Sequence, residues 1–379
     1  MNVIEWLLDS DPSIRWQVMR DLTNEPESVV SAERAKVGTE GWGARLLSLQ
    51  DEKGQWGRDL LASSTVSPDG VPDAATRRLL REAHRATVEE LAGFLEMEPA
   101  QVSAFEEREP DPGLEGVDGY LDAMRSLFIS FGTYVPKWIS TTYTLLELRD
   151  MGLDPGSDEA TNAVSLVREN SRWDEGGQPF FDGEVEPCIN GMTVAIGAYF
   201  DQKVDGIVDR LLGERLADGG WNCEAERGST RSSFHTTICV LEGLLEYERR
   251  QGASAELSAA RSSGQEYLLD RRMMRRLSDG ELIDTDWAMF SFPPRWHYDV
   301  LRGLDYLRSA GTEPDDRCAE VIALVESKRG TDGRWLLENS HPGRIHFEME
   351  DGDGRQSRWN TLRAMRVLDW YGESPQIAT

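Results

Sequence analysis

Lysine is nearly absent from this chain of 379 residues, with five against 36 arginines, and 68 acidic residues leave a formal net charge of −27. Such a surface repels phosphate backbones and excludes non-specific nucleic-acid binding at low salt. Acid excess with little lysine fits a salt-loving host, where counterions screen self-repulsion. A GC-rich genome that favours arginine codons would explain the lysine but less easily the acid. Cysteine is scarce too: Cys188, Cys223, Cys239 and Cys318 are too few and too scattered for a disulfide framework, which leaves metal ligation or plain burial. No apolar run approaches the roughly 18–20 residues of a membrane span. The opening MNVIEWLLDSDPSIRW lacks the basic-then-apolar layout of a secretory signal, so a cytoplasmic location is expected. P-loop, dinucleotide-fingerprint and serine-nucleophile motifs are missing as well.

What is present is a core and repetition. A hydrophobic content of 39% supports one large domain or two modest ones. Three segments, LLSLQDEKGQWG (46–57), LLGERLADGGWN (211–222) and VESKRGTDGRWLL (325–337), each end an amphipathic helix and turn through glycine onto a tryptophan. In 203–216 the residues Val204, Ile207, Val208, Leu211, Leu212 and Leu216 form one apolar stripe at helical spacing.

A second pattern lies between these turns. Segments 14–22, 136–148, 186–198, 232–245, 294–307 and 357–370 align so that Trp16, Trp138, Cys188, Phe234, Trp296 and Trp359 share one position. Intervals from Trp138 onward are 50, 46, 62 and 63 residues, while the first is 122. An insertion at 61–132 restores the period. Each unit then reads as outer helix, Gly/Trp turn, loop and inner helix, and six such hairpins close into an all-α barrel with inner and outer rings. An open solenoid is the competing arrangement. The Gly/Trp turns resemble the repeats of squalene cyclases and of protein prenyltransferase β-subunits. That resemblance spans 1–60 and 133–379 and implies an α/α toroid.

The inserted 61–132 segment has its own logic. A helix is expected near 74–84, Thr87 and Glu90 make a capping box for a second, and Pro99 suits the first turn of a third carrying Val102, Ser103 and Phe105. A fourth follows near 117–128. The pattern T-x-x-E-L-A-x-x-L, then V-S-x-x-E (Val102, Ser103, Glu106), then Pro110-Asp111-Pro112, resembles the repressor-type helix-turn-helix family. That implies DNA as a partner. Yet the presumed recognition helix, Pro99 to Glu107, has no Lys or Arg, and 73–130 holds 6 basic against 13 acidic residues. Charge therefore disfavours DNA, and a lid or protein-interaction role is expected.

Chemistry is expected where the inner helices begin. Glu186 and Cys188 open the third inner helix, and His235 sits one register position further along in the fourth. Carboxylate, thiolate and imidazole at one depth would make a three-ligand zinc site with an open position. Glu184, Asn190 and Cys223 are outer-shell groups or alternative ligands. Protein prenyltransferases hold zinc with Asp-x-Cys and, one repeat later, a His followed by Thr. Glu186-Pro187-Cys188 and His235-Thr236 resemble that arrangement.

Three further groups belong to the candidate site. Arg15, Lys137, Arg295 and Arg358 each precede an aligned tryptophan (Trp16, Trp138, Trp296, Trp359). Four cations beside four indoles would suit an anionic head on an apolar tail. His297 and Asp299 open the fifth inner helix and are candidates for proton transfer, as is Asp284-Thr285-Asp286 before it. Glu348-Met349-Glu350-Asp351 resembles in rhythm the Asp-x-Asp-Asp acid of squalene cyclases, and clustered carboxylates can raise one another's pKa.

Three functions follow from these residues. One is a cyclase- or prenyltransferase-like enzyme acting on an isoprenoid or similar apolar or amphiphilic small molecule, with zinc as Lewis acid or thiolate activator. The second is a ligand-responsive regulator in which the toroid controls the helix-turn-helix-like module, an arrangement that suits a homodimer. The third is a carbohydrate-active (α/α)6 barrel, which needs two carboxylates facing across the cavity.

Overall fold

A computed structural model of the chain describes residues 2–108, 116–174 and 176–372. The chain runs α1 (Val3–Leu8), α2 (Pro12–Asp21), α3 (Glu27–Arg34), α4 (Gly41–Leu47), α5 (Ala74–Ala83), α6 (Val88–Phe94), α7 (Pro99–Phe105) and α8 (Val117–Ser130). It continues through α9 (Thr141–Met151), α10 (Asp158–Asn170), α11 (Pro187–Tyr199), α12 (Asp205–Gly213), α13 (Phe234–Gln251) and α14 (Ala255–Asp270). It ends with α15 (Val300–Ser309), α16 (Ala319–Ser327) and α17 (Arg358–Gly372). Strands are confined to one two-residue pair among the described residues, β1 (Trp335–Leu336) against β2 (Gln356–Ser357).

Helices α2, α9, α11, α13, α15 and α17 form the inner ring of an all-α toroid. The Trp16 indole N–H donates to Met151 O at 2.7 Å and ties α2 to α9. Packing continues from α9 to α11 and from α11 to α13. Arg302 on α15 pairs with Glu242 on α13 at 2.7 Å. Finally α15 packs on α17 and α17 on α2, where Arg366 donates to Gln17 Oε1 at 3.0 Å. The ring is therefore closed.

Burial follows position in that ring. Every residue of α11 is buried, which is why its sequence shows no polar face. Its closest partner is α13. A Cβ on Gly191 would stand 2.6 Å from the Cys239 carbonyl, and one on Gly243 would stand 2.3 Å from Gly191 O. Two glycines thus let the backbones of α11 and α13 touch.

The Gly/Trp turns are built alike. The indole N–H of Trp56, Trp221 and Trp335 donates to the carbonyl of Leu46, Leu211 and Val325, at 2.7, 2.6 and 2.7 Å. Each carbonyl lies ten residues earlier, at the end of the preceding helix, where backbone acceptors lack intrahelical partners. The backbone N–H of the same tryptophans donates to Thr141, Thr237 and Thr361 Oγ1, at 3.4, 3.1 and 3.0 Å. One side chain thus closes the outer helix while its backbone docks on the next inner helix. These threonines follow Trp138 and Phe234 by three positions but Trp359 by two. The sixth repeat is therefore offset by one residue from the sequence alignment, and Trp359 turns inward to stack on Phe292 at 4.3 Å.

The lumen is not an open tunnel. The segment before α15 crosses it from one wall to the opposite one. Arg295 reaches Glu147 on α9 in a buried ion pair, and Arg302 Nη1 holds the carbonyls of Arg295 and His297 at 3.1 and 2.6 Å.

Helices α5 to α8 surround a second apolar cluster that includes Leu80, Val102, Phe105, Tyr120 and Met124. The Thr87–Glu90 capping box forms, with Thr87 N to Glu90 Oε2 at 2.8 Å and Glu90 N to Thr87 Oγ1 at 3.1 Å. Pro99 opens α7. Arg81 grips the buried Glu106 with two bonds, at 2.6 and 2.9 Å. The Pro110-Asp111-Pro112 stretch lies outside the described residues.

Gly191→Ala places a methyl against backbone that cannot swing aside, so it should cost at least the ~1–3 kcal/mol typical of overpacking. Gly206→Ala on α12 meets open space and should instead gain up to about 1 kcal/mol. Urea midpoints of the two variants should therefore move in opposite directions.

Candidate functional site

The inner helices run parallel, so their N-termini share one mouth of the barrel and their C-termini the other. Glu186 caps α11, Pro187 is its first residue, and Cys188 follows. The preceding loop is pinned from behind. Asn190 exchanges bonds with the Glu184 backbone at 2.8 and 2.6 Å, and Arg210 holds the carbonyls of Glu184 and Val185 at 2.8 and 2.7 Å.

Across from Cys188 stands Cys223, in the loop after the Trp221 turn. Their sulfurs are 2.9 Å apart, and Cys188 Sγ lies 3.5 Å from Glu186 Oε2. Thr236 Oγ1 touches Cys223 Sγ at 3.4 Å. The donor atoms of Glu186, Cys188 and Cys223 all lie within 4.8 Å of one another. The shared contact pushes the Cys188 thiol well above its ordinary value, with burial adding to it, and pulls the Cys223 thiol down.

His235 is not a member of this group. Its Nδ1 accepts the Tyr298 N–H at 2.8 Å, and its ring packs edge-on to Trp296 and His297 at 5.2 and 5.7 Å. The sequence alone pairs Glu186 and Cys188 with His235; the structure brings them to Cys223 instead. The reason is the loop: Asn222 bonds Arg231 O at 2.7 Å and folds residues 222–231 back over the start of α11 and α13.

Beside the thiols lies a stack of rings. Trp296 and His297 stack at 3.7 Å, and His297 and His341 at 3.8 Å. Trp138 meets His297 edge-on at 6.0 Å and donates from its indole to His341 O at 3.0 Å. Lys137 Nζ lies over Tyr134, Trp296 and Trp138 at 4.7, 5.8 and 5.9 Å. Burial lowers the Lys137 pKa, while Cys188 and Glu186 draw it back up. His341 Nε2 is buried and has no hydrogen-bond partner among the described residues.

The remaining candidates are dispersed. Arg15 pairs with Glu33 and donates to Ser10 O, and Arg358 reaches the carbonyls of Trp6 and Asp9. Both turn toward outer helices, so Arg15, Lys137, Arg295 and Arg358 do not form one cationic ring. Trp16 and Trp359 line the opposite mouth. Asp299 is the N-cap of α15, accepting Arg302 N at 2.8 Å and Ser291 Oγ at 2.5 Å. Glu350 accepts from Ser357 Oγ at 2.8 Å and from the first amides of α17. Burial raises its pKa. Glu348 is exposed. Asp284 is also exposed and accepts the Asp286 N–H at 2.9 Å.

Two cavities flank the thiols and rings. One, of about 140 Å³, is walled by His84, Tyr134, Asp174, Glu184, Glu186 and Ile189. The other, of about 60 Å³, touches Arg295, His341, His346, Phe347, Glu348 and Glu350. The α5–α8 segment reaches over this mouth: Arg85 donates to Pro342 O at 2.7 Å and Ser126 to Asp174 O at 2.7 Å.

Burial holds these imidazoles neutral, with His235, His341 and His346 pushed down to about 4 and His297 to about 2. An unfolded chain takes up the same protons near about pH 6.5. Between those values the unfolded state binds more protons, so this contribution to stability is full above about pH 6.5 and is lost as pH falls. In an NMR titration the four rings should keep neutral shifts down to about pH 5; midpoints near 6.5 would show that they face water.

No family pattern matches this chain, and no curated protein does. Among solved structures, the apo type II terpene cyclase MstE from Scytonema is similar over 90% of this chain and 98% of that one, at 13% identity and a TM-score of 0.33.

Proposed function

We propose that the chain is a toroid enzyme whose chemistry runs at the N-terminal mouth, on a zinc ion held by Glu186, Cys188 and Cys223. The observation that carries this reading is the convergence of those three donors within 4.8 Å. Two sulfurs and a carboxylate suit zinc, and three protein ligands leave the open position of a catalytic site. A tetrahedral zinc spaces two thiolates about 3.7 Å apart, so the sulfurs, now at 2.9 Å, would part by less than 1 Å. Bound there, zinc would supply Lewis acidity or activate a thiol or water.

The surrounding residues support a small amphiphile as substrate. Lys137 offers a positive charge beside Glu186 and Cys188, suited to an anionic head group. Trp296 and Trp138 offer flat apolar walls. A cavity of about 140 Å³ matches the ~150 Å³ that accepts benzene, so it takes one short branched or aromatic unit. A long polyprenyl chain would need the lumen that the Phe292–Arg295 segment fills. The isoprenoid reading therefore narrows to a short unit. His84, on the wall of that cavity and with its pKa lowered by burial, offers a neutral imidazole beside such a substrate. The inserted helices act as a lid in this reading, with His84 forming part of the cavity wall.

Metal content of the tag-free protein tests this. We expect about one zinc per chain, lost in Cys188→Ala and in Cys223→Ala and retained in His235→Ala. Zinc kept without Cys223 but lost without His235 would move the centre to the triad suggested by sequence. A metal-free native protein would sink metal chemistry here altogether.

A further inference from the structure

The opposite mouth of the barrel concentrates positive charge in an acidic chain. A bowl of about 400 Å³ opens among the C-terminal ends of α2, α9, α13 and α15 and the middle of α17, and nine arginines and four carboxylates line it. In a chain of net charge −27, this wall carries a surplus of three positive charges even when Asp21, beside Arg20 and Arg366, and Asp299, beside Arg363, are counted.

The arginines share too few partners. Asp305 is shared by Arg366, Arg308 and Arg363, at 2.6, 3.0 and 3.8 Å, with Asp21 at 3.4 Å from Arg366 and Asp299 at 4.0 Å from Arg363 as their further partners. That crowd holds the Asp305 carboxyl well below the ordinary range despite burial. Glu246 is divided between Arg249 and Arg250 at 3.6 and 3.8 Å. Arg34 bonds the Gly152 carbonyl and the Tyr199 hydroxyl at 2.9 and 3.0 Å, both neutral acceptors. Carbonyls at helix ends account for some of these contacts, since C-termini favour cations. They contribute no full negative charge, however, and the guanidinium groups around the bowl still repel one another.

We propose that this bowl is a second site that binds a compact polyanion of the di- or triphosphate kind. Guanidinium forks match phosphate oxygens two bonds at a time, and a multivalent anion would supply the charge the wall lacks. The Phe292–Arg295 segment separates the bowl from the thiol mouth: Phe292 and Pro294 line the bowl, and Arg295 lies on the other side. A ligand in the bowl therefore sits against the back of the segment that carries Trp296 and His297. The site stands independently of the zinc reading.

Inorganic triphosphate is the probe, measured by calorimetry on the full chain against sulfate and chloride at matched ionic strength. We expect binding at least tenfold tighter than sulfate. It should weaken at least tenfold in Arg20→Gln/Arg249→Gln, two side chains that are each 45% exposed and so removable without opening the core. Arginine modification by phenylglyoxal gives a readout that needs no variant. Bound triphosphate should protect Arg20 and Arg249 while Arg227, 79% exposed and far from the bowl, stays reactive. Triphosphate binding no tighter than chloride, unchanged affinity in the double variant, or equal labelling with and without triphosphate would each overturn the proposal.

Discussion

The contact between α11 and α13 constrains everything at the N-terminal mouth. Because Gly191 and Gly243 carry no side chains, the two backbones meet directly, and the starts of both helices are drawn together. Cys188 at the head of α11 then faces the loop that leads into α13, and the loop delivers Cys223 to within 2.9 Å of it. A wider spacing, of the ~8–10 Å usual between helices, would part the sulfurs beyond a common ligand. The same pair of glycines sets both the packing and the spacing of the two sulfurs.

The Gly/Trp turns solve a general problem of helical barrels. Each outer helix ends with unpaired carbonyls, and each inner helix begins near unpaired donors. A tryptophan at the turn fills the apolar gap between rings, while its indole N–H satisfies a carbonyl of the outer helix and its backbone N–H donates to a threonine hydroxyl of the inner one. Repetition of this device at Trp56, Trp221 and Trp335 explains how units with little sequence in common keep one geometry.

Charge is distributed against the average of the chain. Acid dominates the composition, yet arginine is concentrated inside the ring at its C-terminal end. A guanidinium remains charged when partly buried and can bridge several carbonyls and carboxylates at once, which lysine does less well. The scarcity of lysine, read from sequence as a matter of habitat or codon use, also matches an interior built from arginine networks.

The sequence by itself determined the all-α toroid, because glycine, tryptophan and apolar spacing repeat locally and add up along the chain. It also placed Glu186 and Cys188 at the head of an inner helix and the capping box at Thr87. Only the tertiary structure decided which side chains converge. An error of one residue in a helix turns a side chain by about 100°, and that offset separates Trp359 from its supposed equivalents. Arg15 and Arg358 turn outward because Glu33 and the carbonyls of Trp6 and Asp9 lie there, on elements remote in sequence. Cys223 replaces His235 beside Cys188 through a loop fold that no periodicity encodes. The arginine bowl had a partial signal: Arg20, Arg149, Arg249, Arg250 and Arg308 each sit in the last turn of an inner helix. Their irregular distance from the aligned aromatics hid it, since only ring closure brings those helix ends around one space.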